Sequence, residues 1–134
     1  MREPLWLDRT FVEAIHADLI QQHGGSAGIR DSGLIDSALA RPRHQWTYKR
    51  KPDLAALAAA YGWGLARNHG FVDGPKRVAL MATYVFLVIN GQELDVPEPE
   101  AVAVMLGVAD GSLSESRFAT WIRRHLVRLR GRIT

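Results

Sequence analysis

The sequence predicts an all-α domain, and three observations carry that reading. Apolar residues recur at helical spacing, recognisable caps and stops punctuate those stretches, and no alternating Val/Ile-rich strand series competes with them. The 134 residues suffice for one hydrophobic core, so a single domain over 1–134 is expected.

After a short extended piece, "PLWL", Asp8 or Thr10 can cap a first helix whose apolar positions Phe11, Ile15 and Leu19 recur at helical spacing until Gly24-Gly25 ends it. Asp31 stands before a second, short helix striped by Leu34, Ile35, Ala38 and Leu39, with Pro42 as its stop. The segment "RHQWTYKRK", 43–51, has no helical period and is expected to form an exposed loop or hairpin carrying Trp46 and Tyr48 among cations. Pro52 opens the third helix, where its missing N–H does no harm, and Leu54, Leu57, Ala58, Tyr61 and Leu65 form the stripe that His69 continues. Gly70 breaks that helix, and the chain restarts at Asp73 or Gly74 into "VALMATYVFLVI", ending at Asn90-Gly91. A helix apolar on nearly every side belongs in the middle of a bundle, so 78–90 is expected to be the central buried rod. "PEPEAVAVMLGVADG" and "SESRFATWIRRHLVRLR", the latter starting at Ser114-Glu115 or Ser116, complete the helices.

Composition narrows the chemistry. Without cysteine, a disulfide scaffold, a thiolate zinc site and a Cys nucleophile are excluded, and a reducing cytoplasm is the expected compartment. Asp8, Arg9, Glu13 and His16 interrupt the N-terminal segment, which therefore does not read as a signal peptide, and the longest apolar run is too short to cross a bilayer. No membrane association is expected. The formal net charge of +3 permits an anionic partner without requiring one.

The break between the third and fourth helices, "NHGFVDGPKR", runs against local preference. Cations in the first turn of a helix oppose its dipole at about 0.3–1 kcal/mol each, yet Lys76 and Arg77 open the fourth helix. Such contradictions mark functional sites. A helix N-terminus offers unpaired N–H groups to phosphate, Arg77 can fork two phosphate oxygens, and Lys76 adds a mobile charge. Asp73 then makes sense as a Mg²⁺ ligand, since Mg²⁺ on phosphates takes one or two protein carboxylates. His69, at the negative end of the preceding helix, can take a proton from a hydroxyl, and Phe71 reads as a core plug that pins the loop. Each residue alone also has an ordinary reading: His69 as a hydrogen-bonded boundary residue, Asp73 as an N-cap, Lys76 and Arg77 as a solvated pair.

The stretch "HGFVDGPKR" resembles the Fic/Doc signature, a His-x-Phe-x-Asp/Glu-Gly/Ala-Asn-Gly/Lys-Arg loop between two helices. The segments "GIRDSGLIDSALARP" (28–42), "LAALAAAYGWGLARNH" (54–69) and "ATYVFLVINGQEL" (82–94) agree in order and spacing. Lys76 resembles the Doc, or death-on-curing, branch. Fic nucleotidyltransferases usually carry Gly there and a further Arg three residues after the first, which Val78-Ala79-Leu80 does not supply. The resemblance implies an all-helical toxin of a toxin–antitoxin pair that transfers the γ-phosphoryl of ATP to a hydroxyl of elongation factor Tu and halts translation. It implies His69 as base, Phe71 as plug, Asp73 as the metal-side carboxylate, Gly74 and position 75 in the anion nest, and Lys76 and Arg77 as phosphate ligands. ATP and Mg²⁺ are the implied cofactors, and a separate Phd-like antitoxin chain the implied partner. The region 43–51, with Trp46 and Tyr48, corresponds to the flap that holds the target.

Position 75 departs from the signature: Pro stands where the family has Asn, removing a side-chain amide and a backbone N–H from the cup. The departure leaves two alternatives beside the kinase: an AMP-transferring Fic-type nucleotidyltransferase and an inactive binding module on the same fold. The arginines at 117, 123, 124, 128, 130 and 132 suggest nucleic acid, but Phe118, Trp121, Ile122, Leu126 and Leu129 make them the solvent side of an ordinary amphipathic helix, which argues against direct DNA binding.

Overall fold

The computed structural model describes residues 1–26, 28–68, 70–71 and 74–129. Six helices form the fold: α1 (Arg9–His23), α2 (Ser32–Tyr48), α3 (Leu54–Arg67), α4 (Pro75–Ile89), α5 (Glu98–Asp110) and α6 (Glu115–His125). Two short strands, β1 (Gln92–Leu94) and β2 (Leu126–Arg128), pair antiparallel. The architecture is all-α, as the periodicity predicts.

Helix starts follow the capping chemistry. Asp8, Asp31, Asp53 and Ser114 each accept first-turn backbone N–H groups at the heads of α1, α2, α3 and α6. Asp53 is the N-cap of α3, so Pro52 lies just outside the helix rather than opening it. Asp53 also takes a two-pronged contact from Arg123 at 2.6 and 3.0 Å, and that guanidinium holds its carboxyl below the ordinary range. α1 ends on Gly24 at φ 83°, and α4 on Asn90 followed by Gly91 at φ 84°.

The helix over 78–90 is present as α4, but the centre of the bundle is α3. Ten of its 14 residues are buried, against six of 15 in α4, whose Met81 and Ile89 reach solvent. Side-chain size decides the difference. α3 is built largely of Ala and Gly, so α2, α4, α5 and α6 can all approach its backbone, whereas the bulkier α4 has helices on only part of its circumference. On α1 the buried face is Val12, His16 and Ile20, one residue on from the predicted Phe11, Ile15, Leu19 stripe, and Phe11 is 44% exposed.

Residues 43–48, expected as a flap, continue α2 straight through Pro42. A proline inside a helix costs about 3 kcal/mol, and tertiary contacts on both sides of it outweigh that local cost. Arg41 bonds Glu115 and lies 4.6 Å over the Trp63 ring, Gln45 donates to Glu115 at 2.8 Å, and Trp46 meets Trp6 edge-on at 6.5 Å. Trp46 thus packs against the core. Tyr48, 80% exposed, ends the helix beside His44.

The last helix is also shorter than its apolar stripe. It stops at His125, whose Nδ1 lies 2.8 Å from the Trp121 carbonyl, and Leu126–Arg128 pair with β1. Backbone groups left unpaired by the turn at Gly91 are satisfied there, with Leu129 N–H bonding Gly91 O at 3.0 Å. The row of arginines is therefore not one helix face. Arg128 is on a strand, Arg123 is tied to Asp53, and Arg130 and Arg132 lie outside the described residues. Among the described residues no helix is long and apolar enough to cross a membrane.

The N-terminal strap is held by Tyr61, fully buried in α3, whose hydroxyl accepts the Leu7 N–H at 3.0 Å and whose phenol burial pushes up to about 12. Tyr61→Phe removes the acceptor and leaves a buried donor unpaired, so a loss of about 1–3 kcal/mol is expected in denaturant melts. An unchanged midpoint would mean that the strap contributes nothing to stability.

Candidate active site

The segment between α3 and α4 is clamped from below and from the side. α3 ends at Arg67 with Asn68 as its C-cap. The Asn68 side chain donates to Leu34 O at 2.5 Å and accepts the Gly70 N–H at 3.1 Å. The Gly70 carbonyl in turn accepts the amides of Arg30 and Asp31 at 2.9 and 3.1 Å. Position 70 has to be glycine because a Cβ there would stand 2.5 Å from Ile35 Cγ1 and 3.2 Å from the Ile35 nitrogen. The loop therefore rests against the head of α2.

Phe71 is 2% exposed, makes an isolated antiparallel bridge with Ile29, and stacks on the His16 imidazole with ring centroids 4.1 Å apart. Gly74 follows three positions later as the N-cap of α4, in the left-handed region at φ 75°, ψ 23°. Its carbonyl accepts the Val78 N–H at 3.1 Å. The predicted metal-side carboxylate Asp73 and the predicted base His69 lie outside the described residues.

α4 starts with Pro75 at its first position, no side-chain hydrogen bond from the N-cap residue, and no acidic residue in the first turn. The amides of Lys76 and Arg77 thus have no partner within the helix, and both side chains are exposed. Positive charge collects at this mouth. Ser112 lowers the Asp110 carboxyl through its hydroxyl and amide, and the charges of Arg67 and Lys76 add to that effect. Arg67 itself bonds the Val108 carbonyl at 3.2 Å and lies 5.2 Å over Trp63. A first turn of this kind suits an anion with several oxygens.

The structure brings Phe71, Gly74, Pro75, Lys76 and Arg77 to one place, while Trp46 and Tyr48 stand on α2. Sequence reasoning missed His16, Asn68 and Asp110. His16 was signalled only by being in helical phase with Val12 and Ile20, and Asn68 by sitting at a helix end, where its side chain can bond the backbone. Among the described residues no group of three or more His, Cys, Asp or Glu is placed to hold a metal ion by itself. A Mg²⁺ carried in on nucleotide phosphates needs only one or two carboxylates, so the exposed cations and the first-turn amides fit its phosphate partner.

The sequence profile of the Fic/DOC family matches residues 6–87. A protein named Toxin Doc from Mycolicibacterium smegmatis is 47% identical over 72 residues, or 53% of this chain and 55% of that protein. The chain spans about half the length of the curated relative it matches. The profile covers α1 to α3, the loop after α3 and most of α4, well over half the sequence, and the chain belongs to the Fic/DOC family.

Proposed function

We propose that this protein is the toxin of a toxin–antitoxin pair and acts as a protein kinase, transferring the γ-phosphoryl of ATP to a hydroxyl of a translation factor, elongation factor Tu by family resemblance. The observation that carries the reading is the first turn of α4, where Lys76 and Arg77 are exposed, their amides have no partner within the helix, and the turn itself contains no acidic residue. There Arg77 takes two phosphate oxygens and Lys76 neutralises charge as the phosphoryl group leaves. Gly74 lets the backbone turn sharply into that helix without a side chain in the way. His69 accepts the target hydroxyl proton, and Asp73 holds Mg²⁺, which supplies charge neutralisation on the phosphates when bound. The separate Phd-like antitoxin belongs to the same proposal, supported by family membership and by the name of the relative.

The test is an intact-mass measurement of elongation factor Tu after incubation with the protein, ATP and Mg²⁺. A mass gain of one phosphoryl group is expected. Gain of a nucleotidyl group, or no change, contradicts the proposal.

A second reading, an inactive binding module, is favoured by one residue. Pro75 occupies the first position of α4 and removes one donor from the cup, leaving the Lys76 and Arg77 amides. Loss of one preset donor at a developing charge costs about 10²–10³-fold in rate. Pro75→Asn is therefore expected to raise turnover by up to about that factor with little change in melting temperature, because the first helical position tolerates either residue. If the Asn variant transfers no faster, Pro75 is only a helix-start residue and the attenuation argument fails.

A further inference from the structure

One buried polar side chain beside the loop is not used by the mechanism. The buried face of α1 is Val12, His16 and Ile20, and its middle member is an imidazole where packing alone calls for an apolar group. His16 is 2% exposed. Its ring lies nearly flat on Phe71, with centroids 4.1 Å apart and planes 21° from parallel. The same ring also backs Gly74: a Cβ built on that glycine would lie 3.8 Å from His16 Cδ2 and 3.8 Å from Nε2. Only Val72 and Asp73 separate Phe71 from Gly74 in the sequence, so one imidazole supports both ends of that short stretch. Ile20 completes the floor, 3.5 Å from the same Cβ position.

A phenyl ring supplies the stacking area equally well. What an imidazole adds is ring nitrogens able to donate and accept hydrogen bonds, one of them on the edge that faces Gly74. Gly74 sets the direction in which α4 starts, so a small rotation at Gly74 re-aims the Lys76 and Arg77 amides. We propose that His16 is a positioning residue of this site, its imidazole holding Phe71 and Gly74 in place and thereby setting the aim of the first turn of α4 toward an anionic ligand. The proposal rests on the reading of this loop as the nucleotide site.

Two variants of the full chain separate positioning from packing. His16→Phe keeps the apolar stack and loses the nitrogens, whereas His16→Gln loses the stack but presents an amide group near the imidazole edge. The expected stability order is Phe above Gln. Activity is expected in the opposite order, with kcat/KM for ATP in the Phe variant reduced about tenfold or more and the Gln variant closer to the parent. Hydrogen exchange at Arg30 and Asp31, whose amides bond Gly70 O, and at Val78, whose amide bonds Gly74 O, reads how firmly Gly70 and Gly74 are held without requiring any activity. These amides are expected to exchange about tenfold or more faster in the Phe variant while α3 amides keep the parent rate. Activity that follows stability, or loop exchange unchanged in the Phe variant, overturns the proposal. The predicted exchange pattern in a parent that transfers nothing supports His16 as the positioning residue and contradicts the kinase reading alone.

Discussion

His69→Ala is expected to abolish group transfer while leaving the melting temperature within a few degrees of the parent. A positioned general base contributes about 10²–10⁴-fold, and in this account no other residue takes the proton of the target hydroxyl. The stability half follows from how the neighbours are held. Gly70 is fixed by three backbone or side-chain bonds, through Asn68, Arg30 and Asp31, and Phe71 is pinned on His16. Truncation at 69 leaves those anchors in place. Growth arrest on expression, together with label incorporation in vitro, checks the result, and an Ala variant that remains fully toxic removes His69 from the mechanism.

The largest effect on stability is expected from Gly62→Val. A Cβ at position 62 would overlap the Thr83 hydroxyl and stand 2.8 Å from Phe118 Cε2. Neither neighbour can give way easily. Thr83 is a β-branched residue whose hydroxyl bonds Ala79 O at 2.8 Å, and Phe118 is fully buried where α6 packs on α3. Replacing a mid-helix glycine with alanine gains about 1 kcal/mol of helix propensity, but overpacking a dense core costs about 1–3 kcal/mol or more. Valine surrenders part of the propensity gain and adds two methyl groups to the overlap. A loss of about 3 kcal/mol or more is therefore expected, a large share of the ~5–15 kcal/mol that holds a domain together. A thermal melt checks it; a variant as stable as the parent would show that α3, α4 and α6 are not packed at van der Waals distance around Gly62.

Much of the fold was legible because helix caps and stops are local. Asp8, Asp31 and Ser114 cap where their positions before apolar stripes indicate, and Gly24 and Asn90-Gly91 stop helices as their conformational freedom allows. What the sequence hid is non-local. Pro42 reads as a stop until Glu115, seventy residues away from Gln45, is seen to hold the next turn of α2 in place. Leu126 continues a helical stripe and also suits a strand, and only the backbone edge of β1 decides between them. The α1 face was misplaced by one residue because Phe11, Ile15 and Leu19 outrank a triplet containing a histidine in hydrophobicity, although the latter is the buried one. The most buried helix was misjudged for a related reason. Hydropathy favours the large side chains of α4, while centrality in a bundle follows from the small ones of α3.

The loop itself was legible because its elements are consecutive in the chain. Its supports were not, since His16, Arg30, Asp31 and Ile35 reach it from α1 and the head of α2. In the proposed mechanism the two sets of residues have different roles: the loop carries the chemistry, and the supports determine where that chemistry points.

The central claim is that the γ-phosphoryl group moves. Nucleotidyl transfer needs the α-phosphate beside the base and room for the β- and γ-phosphates in the cup, where Fic nucleotidyltransferases usually carry Gly ahead of the Arg. Lys76 places a long cationic side chain at that position, so the proposed orientation has the nucleotide entering γ-phosphate first. The direct measurement incubates the protein with elongation factor Tu, Mg²⁺ and ATP labelled at either the γ- or the α-phosphate. The γ-label is expected to mark the target and the α-label to leave it unmarked. The reverse pattern would contradict γ-phosphoryl transfer in favour of nucleotidyl transfer, and no incorporation from either label, even after Pro75→Asn, would leave the chain a binding module without transferase chemistry.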